Sequence, residues 1–142
     1  AAVPMIEEPL QILIVDDIKM NRAMLSRRIQ KAICPQATVS MAETGERALE
    51  LCEEIPFDII VQDQYMEEAG GVMLGTDTII AMRRNKVNAL IIGCSGNDLD
   101  AAFYEAGADM VWGKPMPSNS EIIGQWRDGM MMREIVRSSR RN

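Results

Sequence analysis

The side chains of this sequence best suited to chemistry are oxygen ligands. Asp16 and Asp17 stand side by side, and Asp63 closes the run Phe57-Asp58-Ile59-Ile60-Val61-Gln62. Ser95 follows Cys94, and Lys114 precedes Pro115. Brought together, three carboxylates repel one another and hold protons unless a cation shares them. The chain has no His at all, so an all-oxygen site favours Mg²⁺ over zinc or copper. Such an ion takes octahedral bonds of roughly 2.1 Å and keeps several waters. Ser95 adds a hydroxyl donor and Lys114 a mobile ammonium charge. These are the groups needed to receive a phosphoryl group. In such a site the Asp63 carboxylate would attack in line, with Mg²⁺ and Lys114 positioned to neutralise charge on the equatorial oxygens.

For these residues to meet, each must end a strand on one edge of a sheet. The apolar run Ile12-Leu13-Ile14-Val15 stops at Asp16-Asp17, as a strand buried on both faces does. Met20, Met24, Leu25, Ile29, Ala32 and Ile33 then recur at helical spacing until Pro35. A second strand is expected over 37–42. Thr44 can cap a helix whose Ala48, Leu51, Cys52 and Ile55 share a face, and Pro56 ends it. The third strand carries Asp63, followed by a Gly-containing loop over 67–75. A helix is expected over 77–84 through Ile79, Ile80 and Met82. The fourth strand, 89–94, leads to Ser95-Gly96-Asn97, and Gly107 stops a short helix carrying Leu99, Ala102, Phe103 and Ala106. Met110 to Trp112 makes the fifth strand. Ser118 and Glu121 have capping-box spacing before a last helix carrying Ile122, Ile123, Trp126 and Met130.

Strands alternating with helices call for an α/β fold, a doubly wound parallel sheet with helices on both faces. Right-handed crossovers make the flavodoxin-like (βα)5 arrangement, strand order 2-1-3-4-5, the expected one. In that order the first and third strands are neighbours. Asp16, Asp17 and Asp63 then share one edge, with Ser95 and the loop after the fifth strand beside them.

At 142 residues the chain has room for one domain with a proper core. A net charge of −6 argues against a nucleic-acid or anionic-membrane binder, because phosphate recognition needs clustered basic charge. The Arg residues after Trp126 are a local exception, read as a solvated helix end complementing the helix dipole. Met130-Met131-Met132 reads as packing on the last helix. Cys34, Cys52 and Cys94 are odd in number, lack C-x-x-C spacing and lie in apolar segments. Reduced core thiols and a cytoplasmic location follow. No apolar run approaches the roughly 20 residues of a spanning helix, so no membrane contact is expected. Residues 1–10, with two Pro and paired Glu in the first nine, read as a lead-in or linker, and 138–142 as a basic tail.

With these residues in register on a (βα)5 pattern, the sequence resembles the receiver domains of two-component phosphorelays, over about 11–137. The resemblance rests on Asp16-Asp17, Asp63, Ser95 and Lys114-Pro115. Asn21-Arg22 is further similar to the receivers of hybrid histidine kinases. It implies that Asp63 accepts phosphate from a phosphohistidine of a histidine kinase or histidine phosphotransfer domain. It also implies that Asp17 and the Tyr65 carbonyl bind Mg²⁺ directly, with Asp16 helping through water. Ser95 and Lys114 are implied to bind the phosphoryl oxygens, and Lys114-Pro115 to be a cis peptide. Such a unit is a signalling phosphoacceptor rather than an enzyme, a monomer or weak dimer. The Tyr65 ring is expected to overhang the site and slow water attack on the acyl phosphate.

Three features depart from the family pattern. Glu67, with Glu68 after it, replaces the usual Pro after Met66, and the following loop is longer by several residues. Val111 stands where Tyr or Phe normally precedes the Lys by three, and Trp112 points to the opposite face. These leave open a pseudo-receiver, a protein-interaction module of the same fold that is never phosphorylated. A phosphoaspartyl hydrolase would need a second Asp where Tyr65 stands. A flavodoxin-type cofactor binder would need a phosphate-cradling loop where Asp17-Ile18-Lys19 stands. Singly, each acid also reads as a turn former or cap.

Overall fold

The computed structural model describes residues 10–32, 35–66, 69–96, 98–113, 117–118, 120–125 and 127–129. Strands β1 (Gln11–Val15), β2 (Thr38–Ala42), β3 (Ile59–Asp63), β4 (Leu90–Ser95) and β5 (Met110–Gly113) alternate with four helices. These are α1 (Lys19–Ala32), α2 (Gly45–Glu54), α3 (Gly75–Arg84) and α4 (Asp100–Ala106), and helical backbone resumes at 120–125 and 127–129. All pairings are parallel, in the order β2-β1-β3-β4-β5. This is the flavodoxin-like doubly wound sheet expected above.

The β-branched runs of β1, β3 and β4 are buried on both sides because helices cover both faces. One core cluster gathers Ile12, Ile14, Ile59, Val61 and Ile92 with Leu25 and Ile29 of α1, Trp112 and Ile122. The other gathers Leu13, Val15, Ile60 and Ile91 with Ala48 and Leu51 of α2, Ile79 and Met82 of α3, and Phe103 and Ala106 of α4. Val111 packs against the second cluster and Trp112 lies in the first, so the strand alternation expected of them holds.

Local signals set the element ends. Thr44 Oγ1 accepts the Arg47 amide at 3.1 Å and caps α2. Gly107, at φ 121°, closes α4 in backbone that side chains other than glycine rarely adopt. The Ser118 hydroxyl accepts the Glu121 amide at 3.2 Å, and the Ser118 amide donates to Glu121 Oε1 at 3.4 Å. The capping box read from the sequence is therefore present.

Three expectations need correction. Met20 and Met24 are 78% and 49% exposed, because α1 buries the stripe Arg22, Leu25 and Ile29, at i, i+3 and i+7, which excludes them. Ile80 is likewise exposed while Ile79 and Met82 are buried. Helix α3 starts at Gly75, two residues ahead of the expected 77, since the Gly75 amide is drawn onto the Gln64 carbonyl at 2.8 Å. Neither Cys52, half-buried, nor Cys94, buried, is in a disulfide. Cys34, Trp126, Met130-Met131-Met132, the Arg residues from 133 onward, and the segments 1–9 and 130–142 lie outside the described residues. Among those described, no helix is long and apolar enough to cross a membrane.

Candidate functional site

Parallel register decides which residues meet. Val15 of β1 pairs with Gln62 of β3, so the residues just past each, Asp16 and Asp63, emerge side by side at the carboxyl edge. Open α/β sheets hold their sites there, between strands whose helices lie on opposite faces. Asp16, Asp17 and Asp63 each offer a carboxylate oxygen, and these oxygens all lie within 4.8 Å of one another. Asp16 and Asp63 are buried at 4% and 8% exposure, and Asp17 is half-buried. Three hard anionic donors at this spacing suit a divalent cation with oxygen ligands, so the donor set fits Mg²⁺.

The surroundings hold these acids in place. Asp16 Oδ1 accepts the Ile18 amide at 2.9 Å, a turn closed by its own side chain that starts α1. The Asn21 amide group lies 3.4 and 3.5 Å from the two Asp16 oxygens, at the long limit of hydrogen bonding. Arg22, only 8% exposed, donates from Nη1 to the Asp16 carbonyl at 2.7 Å. Its other terminal nitrogen is 3.7 Å from the exposed Glu43. A buried guanidinium beside clustered carboxylates offsets part of their mutual repulsion.

The backbone of Asp63 is equally constrained. Gln62, fully buried, donates from Nε2 to the Asp63 carbonyl at 2.9 Å. Gly75 meets the same carbonyl from the other side. A Cβ on Gly75 would collide with Asp63 O and lie 2.8 Å from Asp63 C and 2.9 Å from Gln64 Cα, so only glycine permits this approach. The lengthened loop before α3 is tied to α2, where Glu46 Oε1 accepts the Val72 and Met73 amides at 3.2 and 2.9 Å. Its pKa is lowered, most by its own backbone amide and next by the Met73 amide, against a smaller opposing effect of burial.

Of the remaining site residues, Ser95 ends β4 and pairs with Gly113 of β5. Its hydroxyl, together with Lys114, the Lys114-Pro115 peptide and Glu67-Glu68, lies outside the described residues. The Tyr65 side chain is 44% exposed. Sequence reasoning passed over Gln62, Gln64 and Glu46. The signal available for the first was a Gln inside an otherwise apolar strand, a position where a polar group must find a partner.

Residues 12–125 match the response regulator receiver domain family. The chain belongs to that family. Receiver domains are signalling modules of two-component systems rather than classical enzymes. They bind Mg²⁺ at an acidic pocket and accept phosphoryl groups from histidine kinases or phosphotransfer domains. This receiver domain is 30% identical over 120 residues to the autoinducer 2 sensor kinase/phosphatase LuxQ of Vibrio parahaemolyticus, covering 80% of this chain and 13% of that protein. It thus spans a small part of that relative's length. It is 32% identical over 105 residues to the two-component response regulator ORR42 of rice, Oryza sativa subsp. japonica, covering 71% of this chain and 74% of that protein. Among solved structures, a putative response regulator from Chloroflexus aurantiacus superposes with a TM-score of 0.75 at 22% identity, over 87% of this chain and 99% of that one. NtrX from Brucella abortus superposes at 0.79 and 15% identity, over 93% and 29%. These last two likenesses concern the fold.

Proposed function

We propose that this receiver domain is a phosphoacceptor: Asp63 takes a phosphoryl group from a phosphohistidine of a histidine kinase or histidine phosphotransfer domain and signals by conformational change. The observation that carries the reading is the convergence of the Asp16, Asp17 and Asp63 carboxylates within 4.8 Å. Asp16, Asp17, Asp63 and the Tyr65 carbonyl would hold Mg²⁺, which when bound supplies charge neutralisation at the phosphoryl oxygens. An Asp63 carboxylate oxygen attacks phosphorus and forms the acyl phosphate. The phosphorus–nitrogen bond of the donor breaks, and the imidazole leaves with its electron pair. Lys114 and Ser95 bind the remaining phosphoryl oxygens, and Tyr65 shields the acyl phosphate from water. The functional unit is taken as 11–137, from a hybrid kinase or acting alone, with 1–10 as lead-in and 138–142 as basic tail.

A second reading has one observation in its favour. Val111, half-buried against the α4 side, stands where the family's rotating aromatic ring belongs, which suits a pseudo-receiver that never takes phosphate. Incubation with acetyl phosphate, or with beryllofluoride, in the presence of Mg²⁺ separates the two. Labelling that disappears in Asp63→Asn supports the phosphoacceptor. An unlabelled wild-type chain supports the pseudo-receiver.

A further inference from the structure

The residues on either side of Asp63 are both glutamines, and both are buried, Gln62 completely and Gln64 to 5% exposure. A buried amide is retained at a cost unless its polar atoms are paired. Gln62 pairs one side only. Its Nε2 donates to the Asp63 carbonyl at 2.9 Å and lies 3.7 Å from Met66 Sδ, whereas its Oε1 has no donor among the described residues. An apolar side chain of the same length would fill the space without stranding an acceptor, so packing alone does not account for an amide here. Gln64 is paired on both sides, always to the start of α3. Its carbonyl accepts the Gly75 amide at 2.8 Å, its Oε1 the Thr76 amide at 2.9 Å, and its Nε2 reaches Thr76 Oγ1 at 3.4 Å.

The loop between is long, and it is tied by the Glu46 tether and by the Gly71 amide, which donates to the Met66 carbonyl at 3.0 Å. With the Gly75 backbone lying against the Asp63 carbonyl, the Asp63 peptide is gripped from the Gln62 side and from the α3 side. A carboxylate inherits its direction from its own backbone, and displacement by about an ångström is enough to lose a metal ligand or an in-line approach.

We propose that Gln62 and Gln64 are positioning residues that fix the Asp63 peptide and lock it to the first turn of α3, so that the Asp63 carboxylate is presented to the cation and to the incoming phosphoryl group. The proposal rests on the phosphoacceptor reading for its second half only, since presentation to a cation is measurable without any phosphate.

The test uses the whole 142-residue chain and the volume-preserving variants Gln62→Met and Gln64→Met, with Arg83→Met, at the opposite sheet edge, as a destabilised control. Mg²⁺ is titrated and followed by the backbone amide signals of residues 61–66 and 75–76. Thermal midpoints and acetyl phosphate labelling rates are measured alongside. Both glutamine variants are expected to bind Mg²⁺ about tenfold more weakly, the loss typical of groups that orient ligands. Gln62→Met keeps or raises the midpoint, and Arg83→Met lowers the midpoint while keeping wild-type Mg²⁺ affinity. Affinities within twofold of wild type in both glutamine variants overturn the proposal, as does an equal affinity loss in Arg83→Met. Weakened affinity in the two variants with no labelling of any chain upholds positioning and overturns the phosphoacceptor reading. Unchanged affinity with normal labelling does the reverse, and a wild-type chain that ignores Mg²⁺ overturns both.

Discussion

Removing the Arg83 guanidinium tests whether the sheet edge opposite the site is held by a single side chain. Arg83, in the last turn of α3, donates from Nε to the Gly107 carbonyl at 3.0 Å and from Nη1 to the Val87 and Ala89 carbonyls at 2.9 and 3.0 Å. Its Nη2 meets Asp109 Oδ2 at 2.9 Å, and the same carboxylate oxygen accepts the Ile91 amide at 2.9 Å. One cation thereby ties the end of α3 to the start of β4 and to the turn between α4 and β5. Its side chain is 28% exposed and that of Asp109 is 45% exposed, so the ion pair itself contributes little, at most ~0.5 kcal/mol. The three carbonyl bonds matter more, at about 1 kcal/mol each. Arg83→Met keeps the aliphatic stem that packs against Gly107 and deletes only the donors. The expected loss is about 3 kcal/mol, with part of it recovered if water reaches the freed carbonyls. For a domain of this size that lowers the thermal midpoint by roughly 10 °C. Urea unfolding is the assay, read as a shift of midpoint at constant slope. Ala89 and Ser95 are six residues of strand apart, or roughly 20 Å, so labelling of Asp63 should survive. A loss below about 1 kcal/mol would refute the reasoning, because it would mean that the three carbonyls are equally well served by solvent.

Two pH responses follow from the shifted groups. Glu46 has a folded-state pKa below 4.5, so its contribution to stability is complete above about pH 4.5 and is lost as pH falls through the lowered folded value. Acid unfolding of Glu46→Gln should therefore show a shallower pH dependence in that range than wild type, while an identical slope would detach Glu46 from the loop. Burial raises the Cys52 thiol from 9.0 to about 11, so the stability linked to its proton is complete below pH 9 and is lost as pH climbs through 11. Alkylation by iodoacetamide at pH 8 should accordingly be slow until denaturant is added. Rapid labelling of native Cys52 would contradict the burial.

What a sequence discloses depends on the range of the interactions involved. Period and punctuation are local, so the apolar runs of β1, β3 and β4, the Thr44 cap and the Ser118–Glu121 box are all legible in the order of residues along the chain. Alternation and handedness then leave few topologies, and Asp16, Asp17 and Asp63 reach one edge by strand order. Which face of a helix turns inward is not local. Met20 and Met24 match the helical period as well as Leu25 does, and only the direction in which α1 meets the sheet leaves them in solvent. The start of α3 is hidden from the sequence for the same reason, because Gly75 helps open a helix through an approach to Asp63 from twelve residues away in the chain. Gln62 and Gln64 are ordinary polar residues in the sequence. Their place beside Asp63 is plain in the chain, but the tertiary structure alone turns the Gln62 amide onto the Asp63 carbonyl and the Gln64 amide onto Thr76, since the direction of a side chain is set by what packs around it.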